Sequence, residues 1–219
     1  FTFENVRLVA QATADFFALR HPNRTRKKIV VGYDRRFLSN EFAVTTAEVL
    51  AGNGFNVLLS NCPVPTPAVS WHTAHGKCRA GIMITASHNP SRFNGFKLKL
   101  HHGGPADPDT CRAIEDLIEI NPVRSTTLKA GRSKKLILTK DLLPQYFKAL
   151  KRLVNFELIA KAKLNFAHEA LFGVGAGCFD QILENTNCKI RTFNGDHDPN
   201  FGGICPEPIE KNYQISQTA

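Results

Sequence analysis

Ser87, His88 and Asn89 follow one another in the run Ile84-Thr85-Ala86-Ser87-His88-Asn89-Pro90, and Asn94-Gly95-Phe96-Lys97 comes a few residues later. These side chains bring a hydroxyl, a titratable ring, amide donors and a flexible cation, with Pro90 stiffening the stretch between them. Such a set suits phosphoryl transfer, in which positioning and positive charge carry most of the catalysis. The small Ala86 leaves room beside the serine. Asn94-Gly95 predicts a tight turn that returns Lys97 toward Ser87 on the next strand. Taken by themselves, the Ser-His-Asn-Pro run and the Asn-Gly pair fit an ordinary loop and hairpin turn equally well. A serine-hydrolase arrangement fits worse: adjacent residues rarely set an imidazole on their neighbour's hydroxyl, and no G-x-S-x-G elbow is present.

The surrounding pattern predicts the supports. Apolar residues recur at three- and four-residue intervals from Phe3 to Phe17, with Thr2 placed to cap the helix. After a turn at Pro22-Asn23, Lys28-Ile29-Val30-Val31-Gly32-Tyr33-Asp34 reads as a buried parallel strand leading into a functional loop. Ser39 can cap a helix from about Glu41 to Ala51, stopped by Gly52-Asn53-Gly54. Strands follow at 55–59, 80–85 and 96–100, with helices near 68–75 and 107–120. This alternation predicts a layered α/β/α domain with a mixed, mostly parallel sheet and ligands at the carboxyl ends of its strands. Residues 121–135 lapse into Pro122, Ser125-Thr126-Thr127 and Gly131, a domain junction. The chain is thus expected to divide into 1–135 and 136–219, the latter being the first part of a second similar domain. A helix over about 141–154, a strand 163–168, a glycine loop 173–177, a helix through Leu183 and a strand 189–193 are expected there. So small a unit buries little surface by itself.

Thr85-Ala86-Ser87-His88-Asn89-Pro90 with Asn94-Gly95-Phe96-Lys97 resembles the active-site signature of the α-D-phosphohexomutases, the superfamily of phosphoglucomutase, phosphomannomutase and phosphoglucosamine mutase. Val31-Gly32-Tyr33-Asp34-Arg35-Arg36 resembles that family's G-x-D-x-R segment, and Pro63-Val64-Pro65-Thr66-Pro67-Ala68 its proline-rich turn. Gly173 to Gly177, Asp198-Pro199-Asn200-Phe201-Gly202-Gly203 and Pro206-Glu207-Pro208 resemble segments of its second domain. The likeness runs in order along nearly the whole chain.

The resemblance implies an intramolecular phosphotransferase that interconverts hexose 1- and 6-phosphates. Ser87 would carry a phosphoryl group, donate it to a hydroxyl of the substrate, and recover phosphate from the bisphosphate intermediate after that intermediate reorients. By the same resemblance, His88 and Lys97 are candidates for proton transfer or electrostatic support, and Arg36 for organising the loop. Asn89, Asn94 and Gly95 would bind substrate or shape the loop. Mg²⁺ would be bound through the phosphate on Ser87.

The family's D-x-D-x-D-R metal loop has no match. Asp196-His197-Asp198-Pro199 continues with Asn200 and Phe201 and reads as a connecting loop. The metal, sugar and phosphate loops are expected beyond Ala219, and the family's opening strand ahead of Phe1, so the chain reads as a fragment inactive by itself. His168 and Glu169 stand where the family usually has Asp-Pro. Gly173 to Gly177 reads as a plain strand-to-helix turn, since neither phosphate-loop pattern is present.

The net charge of +9 favours a phosphate-bearing partner but does not choose among them. Cations spread through the chain, without a nucleic-acid motif, argue against a basic nucleic-acid-binding module. A non-catalytic phosphosugar-binding domain is the alternative to the enzyme. No apolar run approaches the ~18 residues needed to cross a bilayer, and the first residues do not read as a signal peptide, which disfavours membrane and secreted locations. Cys62, Cys78, Cys111, Cys178, Cys188 and Cys205 form no CxxC pair, as expected of scattered reduced thiols in a cytoplasmic protein.

Overall fold

A computed structural model describes residues 1–20, 27–213 and 216; the turn expected at Pro22-Asn23 lies outside them. Eight α-helices and seven strands occur among the described residues. Helix α1 (Phe3–Arg20) starts as its sequence predicts, the Asn5 amide donating to Thr2 Oγ1 at 3.2 Å.

Strands β1 (Lys28–Tyr33), β2 (Asn56–Ser60), β3 (Ala80–Ile84), β4 (Phe96–Leu100) and β5 (Ile137–Lys140) form one sheet in the order β4-β3-β1-β2-β5. All neighbours are parallel except the antiparallel pair β3 and β4, so the sheet is mixed and mostly parallel. Alternate residues of β1 feed two cores. Ile29, Val31 and Tyr33 pack toward α1 and α2 (Ser39–Gly52), whereas Val30 packs toward α3 (Thr66–His75) with Val64, Val69 and Met83. Burial on both faces explains the uninterrupted apolar run. Gly32 is required by the packing of α3: a Cβ there would lie 2.5 Å from Val69 Cγ2 and 2.9 Å from Val64 Cγ2.

Several local expectations change. Ser39 lies inside the first turn of α2 rather than capping it, and Leu38, at φ 59°, is the N-cap without a side-chain bond. The Ser39 hydroxyl is held elsewhere, as described below. Helix α4 (Pro108–Glu115) is shorter than expected; Asp107 caps it, accepting from the Thr110 amide at 2.8 Å, and three-residue turns replace α geometry after Glu115. Asn94-Gly95 is not a two-residue hairpin. The connection from β3 to β4 runs from Thr85 to Gly95 and closes where the Thr85 amide donates to the Gly95 carbonyl at 2.9 Å. Neither Asn94 nor Gly95 has the positive φ of a type I′ turn.

The stretch expected to be a junction folds onto the first unit. Thr127 caps α5 (Leu128–Ser133), and residues 137–140 add β5 beside β2, so the sheet reaches past residue 135. Helix α6 (Leu143–Leu153) buries Leu143 and Phe147 in the core on the α3 side. It completes the third layer there rather than opening a separate core. Beyond it come α7 (Phe156–Lys161), β6 (Asn165–Glu169), α8 (Cys178–Ile182) and β7 (Lys189–Phe193), with β6 and β7 pairing in parallel as a two-stranded sheet. No residue of β6 or β7 is fully buried.

Candidate active site

Strand β1 ends at Tyr33, and the next residue, Asp34, is 9% exposed and accepts four hydrogen bonds. Its Oδ1 takes the Arg36 amide at 3.0 Å and the Ser39 hydroxyl at 2.7 Å; its Oδ2 takes Arg36 Nε at 3.1 Å and the Thr85 hydroxyl at 2.6 Å. A carboxylate removed from water needs this many donors to remain charged. The Arg36 side chain is fully buried. Burial lowers the pKa of its guanidinium from the ordinary value, and Asp34 opposes that shift.

Arg36 then ties the serine loop to the sheet. Nη2 donates to the Ser87 carbonyl at 2.8 Å and to that of Asn89 at 2.6 Å, while Nη1 donates to the carbonyls of Pro90 at 2.9 Å and Phe93 at 3.0 Å. One planar fork thus holds four backbone oxygens within seven residues of loop, which the point charge of a lysine could not do. A surface ion pair, the ordinary alternative for this arginine, is ruled out by its burial.

Ser87 is therefore held in a conformation that a free chain avoids. Its φ is 59°, in the left-handed region, and its amide donates to Thr85 Oγ1 at 2.9 Å. Such a conformation costs on the order of 1–3 kcal/mol and persists where surrounding bonds over-determine it. The residue stands exposed just beyond the carboxyl end of β3, flanked by the exposed His88, Asn89 and Pro90. Oγ lies 3.4 Å from His88 Nδ1, a long contact, and no carboxylate among the described residues orients that ring. Asn94 braces the far limb, its Nδ2 donating to Ser39 Oγ at 2.9 Å and its Oδ1 accepting from the Gly95 amide at 2.8 Å.

Lys97 is exposed on β4. It pairs with Met83, whose side chain belongs to the core on the α3 side, so Lys97 leaves the sheet on that side. No hydrogen bond joins it to Ser87 among the described residues.

The second unit reaches this site through residues 194–205, a contribution that its loop-like composition did not signal. Arg35 Nη1 donates to the Gly195 carbonyl at 2.8 Å, and His197 Nε2 lies 3.1 Å from the Arg35 carbonyl. Ser91 Oγ donates to Asn200 Oδ1 at 2.8 Å, and Cys205 Sγ lies 3.4 Å from the His88 carbonyl. The buried Phe201 ring stacks under the Arg36 guanidinium at 5.0 Å. A cavity of about 520 Å³ lies between the loops, with Phe93 and Asn94 on one side and Asp198 and Asn200 on the other. Among the described residues, no three His, Cys, Asp or Glu side chains converge as a metal site. Asp198 Oδ1 and Oδ2 already accept the amides of Asn200 and Gly202. The residues present thus do not by themselves fit a bound divalent ion.

Asp34, Thr85 and Ser39 are the site residues that sequence reasoning did not single out. Asp34 had a signal, a carboxylate closing a buried strand. The hydroxyl of Thr85 had none, because Asp34 is 51 residues away in the chain, and that of Ser39, five residues from Asp34, was read as a helix cap instead.

This arrangement agrees with comparisons to known proteins. The model of "Phosphoglucomutase/phosphomannomutase, alpha/beta/alpha domain I" matches residues 1–123, and that of domain II matches residues 144–219. A phosphoglucomutase/phosphomannomutase of Thermococcus kodakarensis is 29% identical over 89% of this chain and 42% of the relative. A phosphoribomutase of Saccharomyces cerevisiae is 33% identical over 83% of this chain and 33% of its own. The crystal structure of a Thermus thermophilus protein named as a phosphomannomutase superposes with a TM-score of 0.88 at 32% identity, covering 100% of this chain and 48% of that one. The chain thus spans less than half the length of each of these relatives. With both domain models matched in order, and with the Ser87 loop tied by Arg36 to the end of β1, the chain belongs to the phosphoglucomutase/phosphomannomutase family.

Proposed function

We propose that this chain is the phosphoserine-bearing part of a sugar-phosphate mutase, with hexose 1- and 6-phosphates as its substrates and Ser87 as the group that gives and recovers the phosphoryl. The observation that carries this reading is the Arg36 fork: four carbonyls are gathered under one buried cation so that Ser87 Oγ is presented at the surface. In the first transfer the bond from phosphorus to Ser87 Oγ breaks, a bond to a sugar hydroxyl forms, and that hydroxyl's proton leaves to a base. After the bisphosphate reorients, the second transfer runs in reverse from the other phosphate and restores phosphoserine.

His88, whose Nδ1 lies 3.4 Å from Ser87 Oγ, is the candidate to hold or release a proton there, and the neutral amide of Asn89 is the candidate to meet substrate oxygens. The charge of Arg36 is committed to Asp34 and the loop, so this residue positions rather than contacts substrate. Lys97, exposed on β4, is the further candidate for proton transfer or electrostatic support of the phosphoryl group. Mg²⁺ would find one ligand on this chain, the phosphate of Ser87, and would offset charge there; the described residues add no carboxylate set. Relatives named for glucose, mannose, glucosamine and ribose phosphates keep several sugars open as substrates. The six cysteines, none of them in a disulfide, agree with a reducing compartment such as the cytoplasm, and no described helix is long and apolar enough to cross a membrane.

Mass spectrometry of the full-length protein should find phosphate on Ser87, and Ser87→Ala should remove nearly all mutase activity. Full activity in that variant would sink the reading. The 219 residues alone should not turn over glucose 1-phosphate, and turnover by them would contradict the division of labour proposed here.

A further inference from the structure

A second concave site lies on the α3 side of the sheet, and none of its walls belongs to the Ser87 loop or to the Asp34–Arg36 cluster. It is a pocket of about 400 Å³ along the edge strand β5, closed by α3 and α6. That volume falls within the range of small-molecule sites, roughly 300–1,000 Å³. Strand periodicity explains its chemistry. Lys28 shares a face of β1 with Val30, which packs toward α3, and Leu58 packs on the same core from β2. Leu138 is the registered neighbour of Leu58, and Lys140 follows Leu138 on the same face of β5. Lys135, from the turn ahead of β5, is the third cation.

Three lysines therefore surround two leucines, and no Asp or Glu among the described residues lines the pocket. None of the three makes an ion pair among the described residues. At the back, burial lowers the pKa of His72; the hydrogen bond to the Leu142 carbonyl opposes that shift, and the charges of Lys140 and Lys28 add to it. Its Nε2 is occupied by the Leu142 carbonyl at 2.8 Å. A lysine on an edge strand also discourages strand pairing, which accounts for Lys140. It does not account for Lys28, which is half-buried on the interior strand β1, nor for Leu138, which remains 61% exposed beside these cations.

We propose that this pocket binds a phosphorylated small molecule with an aromatic or apolar body, of the nucleotide class. Lys28, Lys135 and Lys140 take the phosphate charge, and Leu58 and Leu138 take the flat face of the base. The site is separate from the proposed mutase chemistry and does not depend on it.

The test uses the full-length protein with ATP, inorganic tripolyphosphate and adenosine as separate probes, in the absence of divalent ions. The His72 ring resonances report on the pocket, and so does emission from Trp71, the sole tryptophan of these 219 residues, whose ring lies 4.9 Å from that of His72. ATP should saturate both signals, tripolyphosphate should bind more weakly, and adenosine should not saturate. Lys135→Glu and Lys140→Glu, both at exposed positions, should each weaken ATP binding by about tenfold or more, since reversal replaces attraction by repulsion. Raising the salt concentration should weaken it as well. Unchanged ATP affinity in both lysine variants, or no saturable change at His72, would overturn the proposal. Tripolyphosphate binding as tightly as ATP would overturn the role given to the leucines.

Discussion

Strands β1 and β6 each deliver a carboxylate to the loop beyond their carboxyl ends, and the two are held very differently. Asp34 accepts four bonds, and its buried partner Arg36 passes the restraint on to four carbonyls of the Ser87 loop. Glu169, at the end of β6, is half-buried and accepts the Leu171 amide at 2.7 Å and the neutral amide of Asn194 at 3.0 and 3.1 Å. The first arrangement stands on a five-stranded sheet covered on both faces; the second stands on two half-exposed strands. Water competes for every bond around Glu169 and is excluded from those around Asp34, so similar chemistry gives a rigid loop in one place and a local brace in the other.

Breaking the stronger cluster should have the largest effect. Arg36→Met keeps the bulk but leaves Asp34 and four loop carbonyls without their cation. Loss of one partner of a buried pair costs about 3–5 kcal/mol, measurable as a lowered urea midpoint. A loss no greater than that of a surface substitution would dissolve the contrast. Alkali tests the same neighbourhood. Burial, with the Cys62 and Glu41 charges adding to it, pushes Tyr33 up to about 12. A phenol that holds its proton more tightly when folded contributes stability fully below its unfolded pKa near 10, and that contribution is lost as pH rises through about 12. The wild type should therefore lose up to about 2–3 kcal/mol across that interval relative to Tyr33→Phe, and parallel stability curves for the two proteins would count against a buried β1 end.

Thr85→Val removes the hydroxyl that both donates to Asp34 and accepts the Ser87 amide. Leaving such groups unpaired costs roughly 1–3 kcal/mol, and hydrogen exchange at the Ser87 amide should rise in step. The smallest effect belongs to the second unit. In Glu169→Gln a carboxamide oxygen can still accept from Leu171, so a loss of about 1 kcal/mol or less is expected by thermal unfolding. A loss matching that of Arg36→Met would mean that the two carboxylates are equivalent after all.

How far each part could be read from the chain follows from the range of the interactions behind it. The strands at 28–33, 56–60 and 80–84 were legible because burial on both faces demands continuous apolar runs. The start of α1 was legible because Thr2 and Asn5 are three residues apart. Ser39 was misjudged for the opposite reason. Its position suits a cap, but its hydroxyl goes to Asp34 and receives Asn94, which is 55 residues away. Asn94-Gly95 carries the local signal of a tight hairpin, yet Asn94 serves as a brace to α2, and the turn is opened by a loop that Arg36 holds from across the sheet. The junction near 121–135 has the composition of a linker, but edge pairing of β5 with β2 draws the following residues into the first sheet.

The sequence by itself determined that a serine with histidine and asparagine beside it follows a buried strand of an α/β sheet, and which family that resembles, because periodicity and contiguous motifs are local properties. Only the tertiary structure decided that Arg36 is the organiser, that Lys97 shares the α3-side face of the sheet with Met83, and that residues 194–205 lean on the site. Those outcomes depend on strand register, on burial that raises the cost of an unpaired charge, and on contacts between residues more than fifty positions apart.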